Sequence, residues 1–186
     1  MLGFFKRIKT RRDAVTEDIV RLLEEEVNRC CALSDEELLA LGDEELLAMV
    51  WIRTKKNADG FESERRALDN FEEPQRIFYI VYSYEQEVNA EGLCSYFAHT
   101  SRENALFLRE ALEVVGAKEH KALFEDFLRE NKVATAAMAE FAVINARDFK
   151  RLERKYPFDA FNAAFYALSP MTEVLASYVR ENISAF

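Results

Sequence analysis

Glycine and proline are scarce: five Gly and three Pro in 186 residues. That excludes a collagen-like or low-complexity chain and points to long regular elements with short connections. Cysteine is scarce and odd in number, with two of the three adjacent (Cys30, Cys31). Such spacing gives no disulfide framework, and reduced thiols in a cytoplasmic protein are the expectation. There are only two histidines, so a histidine-rich metal centre has little to draw on. No apolar run approaches the roughly 20 residues of a membrane-spanning helix. Glycine-rich phosphate loops and serine-centred nucleophile elbows are missing too. The amino end, MLGFFKRIKTRR, has charges but no apolar centre, and is not read as a secretory signal.

What the chain has in quantity is acid. The net charge is −9, from 34 acidic and 25 basic residues. Five of the basic residues (Lys6, Arg7, Lys9, Arg11, Arg12) fall in the first twelve positions, which hold no acid. The remainder carries 20 basic residues against all 34 acids, a net −14. A body this negative repels phosphate backbones and anionic lipid, so direct nucleic-acid binding is disfavoured and a basic partner is favoured. The length fits one domain over 16–186, preceded by a basic tail or short helix over 1–15. Phe4, Phe5 and Ile8 give that tail a short apolar face, suited to packing on the domain, to a partner or to a membrane surface.

The most apolar stretch runs from Glu73 to Phe97 (EPQRIFYIVYSYEQEVNAEGLCSYF). IFYIVY alone reads as a strand, being β-branched and aromatic. The stretch as a whole reads as a central helix. Glu72-Glu73-Pro74 is a helix start, nothing interrupts the run before Gly92, and Glu85, Gln86 and Glu87 are good helix formers.

Other elements follow from start and stop signals. Thr16-Glu17-Asp18 opens a helix that carries Ile19, Val20, Leu22, Leu23 and Val27 inward and ends near Leu33. Ser34 and Glu37 form a capping box for a short helix that stops at Gly42. The text of residues 35–40, DEELLA, then recurs at 43–48 and opens a second helix reaching about Lys56. Asn57 to Gly60 reads as a loop, and residues 61–72 as a loop or short helix. Thr100 and Glu103 suggest another capping box. The helix after it has Ala105, Leu108, Ala111, Leu112 and Val115 inward and Gly116 as its stop. Lys118 to Asn131 repeats the pattern, and residues 133–144 are expected to be helical. Asn145 is a cap for Ala146 to Lys155. Phe158, Phe161, Phe165 and Leu168 mark a helix, and Ser169-Pro170 starts the last one. The expected fold is all-α: an irregular array of about seven to nine helices without significant sheet.

One series of motifs resembles a known family. It comprises Glu87-Val88-Asn89-Ala90-Glu91-Gly92-Leu93-x-x-Tyr96-Phe97, the helix Ala105 to Ala117, Phe158-Asp159-x-Phe161-x-x-x-Phe165-Tyr166-x-Leu168, and Tyr178-Val179-Arg180-Glu181-Asn182. In this order they resemble a bacterial family of helical domains, mostly of unknown function, that includes a DNA-mimic protein. The resemblance covers roughly residues 70–184. The family's first motif ordinarily reads E-V-N-N-G-G-F-x-Q-Y-F; here Ala90-Glu91 replaces Asn-Gly and Leu93 replaces Phe. The resemblance implies a helical, non-enzymatic protein. The DNA-mimic member is described as a dimer whose acidic surface occupies the DNA-binding face of a transcription regulator. By analogy the partner here is a basic protein, with a DNA-binding protein foremost, and a homodimer is left open. Glu87, Asn89, Gly92, Tyr96 and Phe97 are the motif positions, structural or binding.

A DNA mimic needs closely spaced carboxylates on a rigid support, since duplex DNA carries one charge per roughly 1.7 Å. The best row is Glu24, Glu25, Glu26, Asp35, Glu36, Glu37, Asp43, Glu44 and Glu45. The plain alternative is that acids at helix starts are capping and dipole chemistry. Glu87 and Glu91, four apart with Glu85 and His99 nearby, raise metal or acid–base chemistry. The Glu-x-x-His motifs of di-metal bundles are absent, so no metal or cofactor is expected. Cys94 with His99 as nucleophile and base lacks an orienting acid, and a small core thiol is the plainer account. The leading expectation is therefore a non-enzymatic cytoplasmic interaction protein. An immunity or antitoxin-like partner of a basic toxin is the second, and a carboxylate-dependent enzyme the third.

Overall fold

The computed structural model describes residues 21, 25–133, 141 and 143–186. Among the described residues eleven α-helices follow one another: α1 over 25–32, α2 Asp35–Leu39, α3 Asp43–Ala58, α4 Glu64–Asn70, α5 Glu73–Glu91 and α6 Leu93–Ala98, then α7 Ala105–Val114, α8 Lys118–Glu130, α9 Ala146–Glu153, α10 Phe158–Tyr166 and α11 Thr172–Glu181. Short 3-10 segments, Thr100–Asn104 and Ile183–Ala185, precede α7 and follow α11. No strand occurs among the described residues, and the fold is all-α. The basic tail over 1–15, the start of the first helix and most of 133–144 lie outside the described residues.

Helix α5 is the element on which the others pack, touching α3, α6, α7 and α11. Ile77, Phe78, Tyr79, Ile80 and Val81 are buried in succession, so IFYIVY is a helix covered on nearly every side. Its start is held by Pro74 in the first turn and by the Glu72 N–H donating to Gln75 Oε1 at 3.3 Å. Its end is fixed by Gly92 (φ 81°, ψ 171°), a conformation that only glycine adopts readily.

Local signals set most of the other boundaries. The Ser34–Glu37 capping box is present: the Ser34 N–H donates to Glu37 Oε2 at 2.7 Å and the Glu37 N–H to Ser34 Oγ at 3.2 Å. Helix α7 ends in a Schellman turn. The Ala117 N–H reaches the Leu112 carbonyl at 2.9 Å and the Gly116 N–H reaches Glu113 at 3.0 Å, with Gly116 at φ 80°. Helix α8 ends the same way around Lys132 (φ 53°), a residue with a Cβ in the position glycine usually takes. Asn145 caps α9, its Oδ1 accepting the N–H groups of Arg147 and Asp148 at 2.9 and 3.1 Å.

Three boundaries differ from expectation. Helix α3 continues through Asn57 to Ala58, because Ala58 finds a buried place. Thr100 and Glu103 do not open α7. They belong to a 3-10 turn that brings Asn104 and Ala105 into the core first. Ser169-Pro170 does not start α11, which begins at Thr172. The preceding residue, Met171, is buried, and its N–H is bound by the carboxylate of Glu85 on α5, so the start is set by a tertiary contact.

One apolar cluster runs through these helices from Leu38 to Val179. Its centre is aromatic. Phe97 stacks on Phe141 with ring centres 5.2 Å apart and also meets Phe124, Phe127 and Phe158. Tyr84 sits edge-on to Tyr96, Phe124 and Phe165. Each such pair adds about 0.5–1.5 kcal/mol beyond its buried area. Arg53 on α3 is a buried polar strap. Nε donates to the Cys30 carbonyl at 2.8 Å, Nη2 to the Leu33 carbonyl, and Nη1 to the Phe186 carbonyl at 3.4 Å. It joins the end of α1 to the carboxyl-terminal turn.

Candidate acidic interface and the motif at the end of the central helix

Of the acidic row, Glu25 and Glu26 are the first residues of the described part of α1, and Asp35 to Glu37 and Asp43 to Glu45 lie in the first turns of α2 and α3. Glu24 lies outside the described residues. The rest are exposed except Asp43, which is half-buried. Four of them have local duties. Glu25 pairs with Arg21, four residues earlier, and Glu26 pairs with Arg29 within α1. Glu37 closes the capping box, and the Ser34 backbone and hydroxyl hold its carboxyl below the usual range. Asp43 pairs with Arg180 at 2.7 Å, and Arg180 also donates to the Leu41 carbonyl. Asp35, Glu36, Glu44 and Glu45 have no ion-pair partner within 4 Å among the described residues, although Arg29 feels the charge of Glu45. The two DEELLA copies are not equivalent. Leu46 and Leu47 of the second are both buried, whereas in the first only Leu38 is buried and Leu39 is 41% exposed. Two acidic helix starts thus stand close in sequence on elements anchored by different leucines.

The motif positions Glu87, Asn89, Gly92, Tyr96 and Phe97 are brought together at the α5–α6 turn. Tyr96 and Phe97 are fully buried and belong to the aromatic centre. Gly92 is needed twice over. Besides its positive φ, a Cβ there would come within 2.5 Å of Asn162 Nδ2 on α10. Asn162 uses that closeness: its Oδ1 accepts the Leu93 N–H at 3.0 Å. Tyr166 of the same helix donates to the Val88 carbonyl at 3.0 Å. Asn89, Ala90 and Glu91 are exposed. The departure from the family pattern therefore has two parts: Leu93 fills a core site, and Ala90-Glu91 extends α5 on its surface.

His99 stands between Glu87 and Glu91, with Nδ1 3.4 Å from Glu87 Oε2 and Nε2 3.9 Å from Glu91 Oε2. The two carboxylates face opposite edges of one ring and do not converge on a common point. Among the described residues no group of three or more His, Cys, Asp or Glu is placed to hold a metal ion. Burial and the charge of Glu153 push the Cys94 thiol up to about 12, leaving little thiolate at neutral pH.

From the sequence Glu85 counts as a helix former and Arg53 carries no motif signal, yet both have tertiary duties. Both are buried. Glu85 is seven residues after Phe78 and three before Val88, and Arg53 is three after Val50, so each sits on a core-facing stripe. The spacing was the available signal. Burial raises the Glu85 carboxyl above its ordinary value, against the opposing bond from the Met171 N–H at 2.7 Å.

A chain with exposed carboxylates in the first turns of α2 and α3 and a polar clamp at a glycine-ended central helix is, as a class, an all-α helical protein. The chain belongs to the DMP19-like protein family, whose model matches residues 69–182, more than half of the chain. This is the family that includes a DNA-mimic protein. The matched region takes in the whole of α5 through α11, and all nine residues of the acidic row precede it. No curated protein and no solved structure matches the chain significantly. No helix among the described residues is long and apolar enough to cross a membrane.

Proposed function

We propose that this is a non-enzymatic, cytoplasmic interaction protein that offers the acidic starts of α2 and α3, with the neighbouring glutamates of α1, to a basic protein partner, a DNA-binding protein by preference. Membership of a family that includes a DNA mimic carries the reading. Exposed carboxylates at Asp35, Glu36, Glu44 and Glu45, fixed by helix backbones and not engaged in ion pairs among the described residues, support it. Carboxylates carried on helices need no backbone ordering on binding, only that of their side chains, which favours a charged partner with a rigid face.

Affinity capture from the source cell tests it. The wild-type chain is compared with a Glu36→Lys, Glu44→Lys, Glu45→Lys variant. The expected result is a DNA-binding protein retained at low salt, released as the screening length falls towards roughly 3 Å in 1 M salt, and lost with the variant. A partner retained at high salt and held equally by the variant would contradict the proposal.

A further inference from the structure

Helix α9 gathers cations on one face. Arg147 sits in its first turn, where a cation opposes the helix dipole. Arg147, Lys150, Arg151 and Arg154 follow at steps of three, one and three, so like charges stand four apart on one face, which destabilises a helix. All four are exposed, while Leu152 is buried and Phe149 half-buried on the other side against the core. With Ala146 they line an open depression of about 520 Å³. Among the described residues, Arg151 alone of the four has a carboxylate within reach, Asp148 at 3.2 Å. Several surface cations elsewhere are paired along their helices, as in Arg21–Glu25, Arg65–Asp69 and Arg129–Asp126. In a chain with more acids than bases, a row of four exposed cations, three of them without a carboxylate in reach among the described residues, is a segregated feature, and local conflicts of this kind are expected at functional surfaces.

We infer that the outer face of α9 is a second docking surface, opposite in sign to the acidic row, which takes a carboxylate-rich segment of a partner protein. Three of the four cations are arginines, whose planar guanidinium matches a carboxylate with two parallel hydrogen bonds. The row is roughly 10 Å long at 1.5 Å per residue, the size of a short acidic segment. A nucleic-acid backbone would run past it onto a chain of net charge −9, and be repelled there.

The test is fluorescence anisotropy of a short dye-labelled polyglutamate peptide, with a labelled duplex oligonucleotide in parallel, against the full chain and an Arg147→Gln, Lys150→Gln, Arg154→Gln variant. The variant relieves like-charge repulsion within α9 but removes cations that favour its carboxyl end, so a thermal melt of each protein, followed by circular dichroism, accompanies the binding measurement and separates loss of folding from loss of the site. The expected result is peptide binding to wild type that weakens about tenfold in the variant, with the oligonucleotide bound more weakly than the peptide. Oligonucleotide binding that exceeds peptide binding and is lost in the variant would assign the row to nucleic acid and overturn the proposal. Peptide binding that is absent, or the same in both proteins, would overturn it as well.

Discussion

Glu85 is buried in the middle of the central helix, and its carboxyl is raised by desolvation. Because its folded value lies above its unfolded one, the stability it contributes is complete below the ordinary carboxyl range. That contribution is lost as pH rises through the raised value. Glu85→Gln keeps an oxygen for the Met171 N–H and removes the charge. The variant should melt higher than wild type at pH 7, and the difference should shrink towards pH 4. Equal melting at pH 7 would show that the ionised carboxylate is as well accommodated as the amide. Gly92 allows a second check at this scale. Gly92→Ala meets both a glycine-only backbone conformation and the Asn162 side chain at 2.5 Å. Denaturant unfolding should show a loss of about 1–3 kcal/mol, more if Asn162 cannot turn aside.

The elements were legible where their boundaries depend on neighbours in the chain. The capping box at Ser34, the Schellman turn at Gly116 and the Asn145 cap are local chemistry, and each is in place. The start of α11 was misread because Ser169-Pro170 satisfies local rules, whereas the actual start depends on Glu85, a residue 86 positions away. The end of α8 was placed within a residue, but its left-handed Lys132 was not foreseen, since lysine carries no turn signal. Lys132→Gly should relieve that conformation and raise stability by about 0.5–1 kcal/mol, measured by chemical denaturation. A loss of stability would mean that the Lys132 side chain makes a contact worth more than the backbone strain.

For the molecule as a whole, the fold class and the family were readable because the all-helical punctuation and the order of motifs from Glu87 to Asn182 are sequence properties. The expected extent, roughly 70–184, agrees with the matched 69–182. The candidate site was only partly readable. The sequence located the acids, but ion pairing to Arg21, Arg29 and Arg180 depends on rotamers and on packing across the chain. Nor does the sequence show that Gly92, Tyr96 and Phe97 spend their chemistry on packing with α10 and the aromatic centre. The acidic row lies ahead of the shared family region, so on our reading the family contributes the scaffold and this chain's own first three helices contribute the negative face.

The most direct measurement of that reading is competition at equilibrium. A labelled duplex is bound to the DNA-binding protein captured by this chain, and the chain is added while anisotropy is followed. Displacement of the duplex is predicted, with the curve for the Glu36→Lys, Glu44→Lys, Glu45→Lys variant shifted to concentrations about tenfold higher or more. A complex in which duplex, regulator and chain remain together would contradict it.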